Sequence, residues 1–159
     1  MAKPKQSSSK HAGPILNRRA RFDYELGDEL VAGIVLTGPE TRAVREGHVQ
    51  LRGSYVAIKG SELWLSNASI SIKLNERGQS GARSVDSRER KLLASRKQIE
   101  QLAVRRKEGM TIVPTKLLTQ GRYLKLVIAL GKGKKRWDKR ETLKRRDQER
   151  DAHQVMRNH

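Results

Sequence analysis

The residues best suited to chemistry lie near the end of the chain. They are Gly133, Lys134, Lys135, Trp137, Asp138, Lys139 and Arg140, inside the run GKGKKRWDKRETLKRRDQERDAHQVMRNH from Gly131 to His159. Lysine and arginine at this density neutralise phosphates, and an indole among them can stack on a base. Asp138 is an acid among cations. It suits the first turn of a helix, where a carboxylate accepts the unpaired backbone N–H groups. A second basic run, Asn17, Arg18, Arg19 and Arg21 followed by Tyr24, holds no acid between its cations and offers phosphate contact and stacking. The chemistry indicated is recognition of a polyanion.

Catalytic alternatives are thin. Asp23, Glu25, Asp28 and Glu29 cluster closely enough to hold Mg²⁺, as in a nuclease, but no base or nucleophile stands beside them. They read as exposed strand or turn residues. The four histidines are scattered without HExxH spacing, and there is no cysteine. Thiolate metal sites, disulfides and cysteine nucleophiles are thereby excluded. No catalytic residue, metal or cofactor is expected.

The net charge of +18, with a pI near 10.8, is spread unevenly over 159 residues. Residues 1–21 carry six Lys/Arg and no acid, and residues 131–159 carry eleven bases and five acids. Two dense basic ends around a milder centre suggest a nucleic-acid partner. An anionic membrane is the competing polyanion, but there is no long apolar run, and the ends form no amphipathic face. The start, MAKPKQSSSK, lacks the apolar segment of a secretory signal, so a cytoplasmic location is expected.

The elements that must position these residues can be read in order. Residues 1–16 are rich in Lys, Ser, Gly and Pro and read as a disordered basic lead. Ala32–Leu36 is an apolar strand. Thr37-Gly38-Pro39-Glu40 spells a capped helix start, with the helix running to about Glu46 and Gly47 closing it. Arg42 and Arg45 share a face of it. Strands follow at 48–51, 55–59 and 63–65, with Trp64 expected in the core. A loop is expected over 73–87, then a helix from Ser87 to Glu108 started by Asp86 and Glu89. Thr111–Leu118 is a strand that Pro114 should bend or place at an edge. Tyr123–Leu130 alternates, with Leu124, Leu126, Ile128 and Leu130 on one side. The fold class is therefore mainly β with flanking helices: a small OB-like antiparallel barrel of about six strands and two to three helices over residues 17–130. Residues 131–159 form a basic tail behind a glycine–lysine hinge. Its few apolar residues give it little to pack, so it should be disordered alone and helical when bound. A solvated tail that only aids solubility is the plainer alternative.

Four ordered motifs resemble the SsrA-binding protein family, also called small protein B. They are NRRARFDYEL, the series AGIVLTGPETRAVREGHVQLRGSYV (32–56), RERKLLAS (88–95) and GKGKKRWDKRETLKRRD (131–147). The resemblance spans about Asn17 to Arg146. It implies an OB-like barrel that binds the tRNA-like part of transfer-messenger RNA at its elbow. It also implies a tail that enters the decoding centre and mRNA path of a stalled ribosome, in trans-translation. The partners would be that RNA and the ribosome, with the protein a monomer and not an enzyme. RNA-contacting positions carried over are Asn17, Arg18, Arg19, Arg21, Tyr24, Glu40, Arg42, Arg45, Lys91 and Leu93. In the tail they are Gly133, Lys134, Lys135, Trp137, Asp138, Lys139 and Arg140. Glu40 has a structural alternative, capping its own helix. Trp137 could instead fold back on the barrel. The chain departs from the family pattern at Val31, Ser69, Ala94-Ser95 and Trp137. A structural ribosomal or chaperone-like RNA protein would share the same charge layout.

Overall fold

The computed structural model describes residues 13–73, 83–106 and 109–157. Its core follows from alternation. Leu124, Leu126, Ile128 and Leu130 point inward from the last strand and meet Leu63, Leu65, Leu92, Ile112 and Leu117. Such side chains each contribute on the order of 2 kcal/mol when withdrawn from water, which suffices to close a small barrel.

The chain runs β1 (Ile15–Leu16), α1 (Arg18–Asp23), β2 (Tyr24–Ile34), α2 (Gly38–Arg45), β3 (Val49–Gln50), β4 (Tyr55–Lys59) and β5 (Glu62–Ser66). It continues β6 (Ser69–Lys73), β7 (Arg83–Asp86), β8 (Arg90–Leu93), α3 (Arg96–Arg105), β9 (Met110–Leu118), β10 (Lys125–Gly133) and α4 (Arg136–Arg157). Strands pair in the order β9-β10-β2-β8-β5-β4, and β4 returns to β9 through Val56 and Ile112. This is a closed six-stranded antiparallel barrel, as the sequence led us to expect. β1 extends β9 beyond the point of closure, and β3, β6 and β7 form a separate small sheet.

Two readings at Pro114 and in α2 hold. The β9–β10 register slips so that Lys116 and Pro114 face Val127 and Ile128, leaving Thr115 unpaired in a bulge. Its hydroxyl donates to the Val127 carbonyl at 3.2 Å. The α2 helix starts with the expected capping box, Thr37 with Glu40.

Other expectations need correction. Ile15 and Leu16, inside the lead expected to be disordered, form β1 on the edge of β9. Arg18–Asp23 is a helix with Asn17 as its N-cap. The supposed loop over 73–87 ends in β7, paired with β6; residues 74–82 lie outside the described residues. The helix expected from Ser87 begins only at Arg96. Residues 90–93 are instead a strand, bonded to β5 and β2, with Leu92 inward. The capping box belongs to Ser95 and Gln98: the Ser95 N–H donates to Gln98 Oε1 at 2.9 Å. The departure at Ser95 thus supplies a helix start. Trp64 is outward and half-buried, between Ala57 and Lys91 on neighbouring strands, while its leucine neighbours fill the core.

The glycine–lysine hinge is also a strand. β10 continues through Gly131, Lys132 and Gly133, paired with Leu26, Glu25 and Tyr24 of β2. A Cβ on Gly131 would stand 3.0 Å from the Tyr24 Cβ, so a side chain here would push the two strands apart by a few tenths of an ångström. The barrel therefore ends at Gly133, three residues later than expected.

Candidate nucleic-acid interface

The basic run at 17–21 is shaped by Asn17. Its Nδ2 donates to the carbonyls of Leu51 (3.0 Å) and Pro114 (2.8 Å), and its Oδ1 accepts from the Ala20 N–H. Asn17 is buried, and both of its amide N–H donors are used within the protein. It bolts α1 to the barrel and so aims the arginines. Arg18, Arg19 and Arg21 are exposed on that helix. The run is not without a local acid. Arg19 Nε donates to Asp23 Oδ2 at 2.8 Å, one helical turn on, and its guanidinium lies 4.9 Å from the Phe22 ring centroid.

Tail residues meet the same place. The Lys134 N–H donates to the Asp23 carbonyl at 2.9 Å, and Lys134 Nζ to the Arg21 carbonyl at 3.2 Å. Lys139 Nζ reaches Asp23 Oδ1 at 2.9 Å. Burial alone would raise the Asp23 carboxyl, but hydrogen bonds from Lys139 and Arg19 and their charges hold it below the usual carboxylate range. Tyr24, half-buried, follows directly and faces Gly133 across the sheet. Arg18, Arg19, Arg21, Tyr24, Gly133, Lys134 and Lys139 thus gather at one junction of α1, β2, β10 and α4. Lys135 and Arg140 are exposed beside it.

Asp138 does what its position in the sequence suggested: its Oδ2 accepts the Lys135 N–H at 3.2 Å, capping α4. Trp137 is 61% exposed rather than folded onto the barrel. From Leu143 to Ala152 every side chain of α4 is exposed. Arg145 pairs with Glu149 at 3.4 Å and Arg150 with Asp147 at 3.7 Å, both along the helix surface.

A second group centres on α2. Glu40 is buried. Its carboxylate accepts from the Thr37 N–H (2.7 Å), Arg88 Nη2 (2.6 Å), Arg88 Nε (3.0 Å) and Arg90 Nε (2.9 Å). Burial alone would raise its pKa, but these hydrogen bonds outweigh that and lower it to about 2. The carboxylate is sealed in and its acceptor positions are filled within the protein. The capping alternative holds, joined to a clamp on β8 that the sequence did not reveal. Arg90 completes the clamp with bonds to the carbonyls of Ala68 (2.8 Å), Arg88 (2.8 Å) and Asp86 (3.0 Å). Arg42 remains exposed on α2. Arg45 turns toward the β9–β10 turn and donates to the carbonyls of Gly121 (3.2 Å) and Arg122 (3.1 Å). That turn carries Arg122 over the exposed Tyr123 ring, a cation–aromatic pair that sequence reasoning missed.

On β8, Lys91 pairs with Glu62, and Leu93 is 54% exposed over Gly33 of β2. Strand alternation puts Arg90 and Leu92 inside and Lys91 and Leu93 outside. That two-residue rhythm was the signal available in RERKLL for separating clamp from surface.

Among the described residues no group of three or more His, Asp or Glu is placed to hold a metal ion. Asp28 pairs with Arg105 (2.6 Å), Glu29 with Lys116 (3.2 Å), and Asp23 with two cations, so the acids near the start serve as ion-pair partners. No described helix is long and apolar enough to cross a membrane.

The profile of the family described as "SmpB protein" matches residues 15–158. The chain belongs to the SmpB family. Among relatives, an SsrA-binding protein of Coxiella burnetii (strain Dugway 5J108-111) is 43% identical over 145 residues, covering 91% of this chain and 90% of the relative. One from Streptococcus pneumoniae (strain Hungary19A-6) is 43% identical over 142 residues, covering 89% and 90%. One from Chelativorans sp. (strain BNC1) is 44% identical over 144 residues, with the same coverage. A chain in the solved structure "tmRNA-SmpB: a journey to the center of the bacterial ribosome" superposes with a TM-score of 0.62 at 36% identity, covering 83% of this chain and 95% of that one. The family match takes in both the barrel and nearly all of α4.

Proposed function

We propose that this protein binds the tRNA-like domain of tmRNA with its barrel and carries that RNA to stalled ribosomes. There α4 enters the decoding centre and mRNA path, so that the ribosome is rescued and the nascent peptide tagged. The observation that carries the reading is the division of positive charge within an SmpB-family chain. One part is held on a rigid barrel by buried bolts; the other stands out on a helix with no core of its own. On the barrel, Arg18, Arg19, Arg21, Arg42 and Lys91 neutralise phosphates, while Tyr24 and Leu93 supply flat and apolar contact. On the tail, Lys134, Lys135, Lys139 and Arg140 bring charge and Trp137 brings a stacking surface. Free of RNA, the exposed half of α4 frays, because its apolar residues are too few to hold it. The protein acts in the cytoplasm by recognition alone, without catalysis.

Truncation after Gly133 tests this, since that cut leaves β10 whole. The shortened protein should bind tmRNA nearly as tightly as the full chain and fail to support tagging on stalled ribosomes. Equal loss of both activities would refute the division of labour.

A further inference from the structure

Where the tail leaves the barrel, Asp23 holds it at two points, beside the Lys134 Nζ bond to the Arg21 carbonyl. Asp23 is the first acid in the chain, after six cations. It closes α1, and an acid in the last turn of a helix opposes the helix dipole. Its local setting therefore disfavours it, and its partners elsewhere account for it. The carbonyl oxygen accepts the Lys134 N–H at 2.9 Å, continuing the β2–β10 ladder one step past Gly133. One carboxylate oxygen takes Lys139 Nζ at 2.9 Å, from the first turn of α4. The other takes Arg19 Nε at 2.8 Å, which fixes the carboxylate's orientation from behind. Asp23 and Lys139 are partly shielded, with side-chain exposures of 23% and 34%.

We propose that Asp23 is a positioning residue for the tail: gripping the chain at Lys134 and again at Lys139, it sets the direction in which α4 departs from the barrel. Two holds, one before the helix and one on its first turn, define a direction; one hold alone would leave a swivel. Direction matters because the helix is long. Its 22 residues span about 33 Å. A tilt of about 20° at the base would move the far end by roughly 11 Å. Beyond Thr142 no other side chain of α4 up to Ala152 is covered, so little besides this junction can correct the angle. The bond from Lys134 is made by backbone atoms and survives any change of side chain; the carboxylate supplies the second hold. This inference rests on the proposed function for its biological meaning, but its geometric half needs no RNA.

The natural absence of cysteine allows the angle to be measured. Spin labels at Val104→Cys on α3 and Glu141→Cys in the second turn of α4, both exposed, report the direction in which the tail leaves the barrel in the full-length protein. With Asp23 present, a dominant distance is expected. Asp23→Asn should broaden and shift the distribution, Asp23→Glu should largely keep it, and Lys139→Met, removing the other end of the pair, should broaden it as Asp23→Asn does. Distributions that superimpose for the parent, Asp23→Asn and Lys139→Met would overturn the proposal. In function, Asp23→Asn should lower tagging roughly ten-fold, as mispositioning does, while tmRNA affinity stays within about two-fold. Unchanged tagging, or an equal fall in tmRNA binding, would also overturn it. If the distances shift as expected but no protein in the series supports tagging, the functional reading fails and the positioning role stands.

Discussion

Arg90 Nε donates to Glu40 Oε1 at 2.9 Å, with both side chains sealed from solvent at 0% and 1% exposure. The two residues are fifty positions apart, and their bond ties α2 to the barrel wall. Removing one partner strands the other as a buried charge. Glu40→Ala should therefore destabilise the fold by roughly 3–5 kcal/mol. Urea unfolding followed by circular dichroism measures it, and a loss under about 1 kcal/mol would show the clamp to be idle. Replacing both residues with apolar ones of similar size, Glu40→Leu with Arg90→Met, should recover much of the loss.

The same pair sets an acid limit. The Glu40 carboxyl is lowered from 4.5 to about 2 in the fold. A depressed carboxylate contributes stability that is present above its unfolded pKa and is lost as pH falls through the folded one. The window is thus pH 4.5 down to about 2, and the contribution at neutral pH is on the order of 3 kcal/mol. Stability plotted against pH should fall across that window, and the fall should be shallower in Glu40→Gln. Parallel acid limbs for the two proteins would place the sensitivity elsewhere.

At Gly131 the strands are tight, the Tyr24 Cβ standing 3.0 Å and the Leu26 Cδ2 3.3 Å from where a Cβ would be. Gly131→Val should cost about 1–3 kcal/mol by overpacking. It should also displace Tyr24 and loosen the junction with α4. Thermal unfolding checks the first effect, and weakened tmRNA binding at fixed salt the second. Gly38→Ala, at a glycine with open space around it, is the control that should leave RNA binding unchanged.

The sequence made some of this legible and hid the rest for physical reasons. The alternation of Leu124 to Leu130 revealed β10 because its large side chains recur strictly at every second position and fill the core, although Val127 and Ala129 on the other face are buried too. The α2 start was legible because its cap is local, Thr37 to Glu40. β8 was not, since Arg-Lys-Leu-Leu is made of good helix formers and its inward arginine breaks the apolar pattern. Only a carboxylate fifty residues away makes Arg90 acceptable inside, and no local rule reports it. The site divided likewise. The cations were readable by type, and the cap at Asp138 by its place. That Asn17 and Glu40 are structural depended on burial created by remote strands.

Trp137 offers the sharpest test of the tail. It sits in the first turn of α4 with 61% of its surface exposed, though an indole in water has nothing to gain from being there. Most of the ring gains nothing from the fold, so Trp137→Ala should change folding stability by less than about 0.5 kcal/mol. If the ring stacks on an exposed base, the same change should weaken the ribosome-bound state by about 1–3 kcal/mol while tmRNA binding by the barrel stays level. Because the chain has two tryptophans, Trp64→Phe leaves Trp137 as a lone fluorescent reporter. Its emission should be that of a solvated indole in the free protein and should be quenched when ribosomes carrying tmRNA are added. Emission unaltered by ribosomes, together with full tagging by Trp137→Ala, would remove the tryptophan from the interface and leave the cations of α4 to act alone.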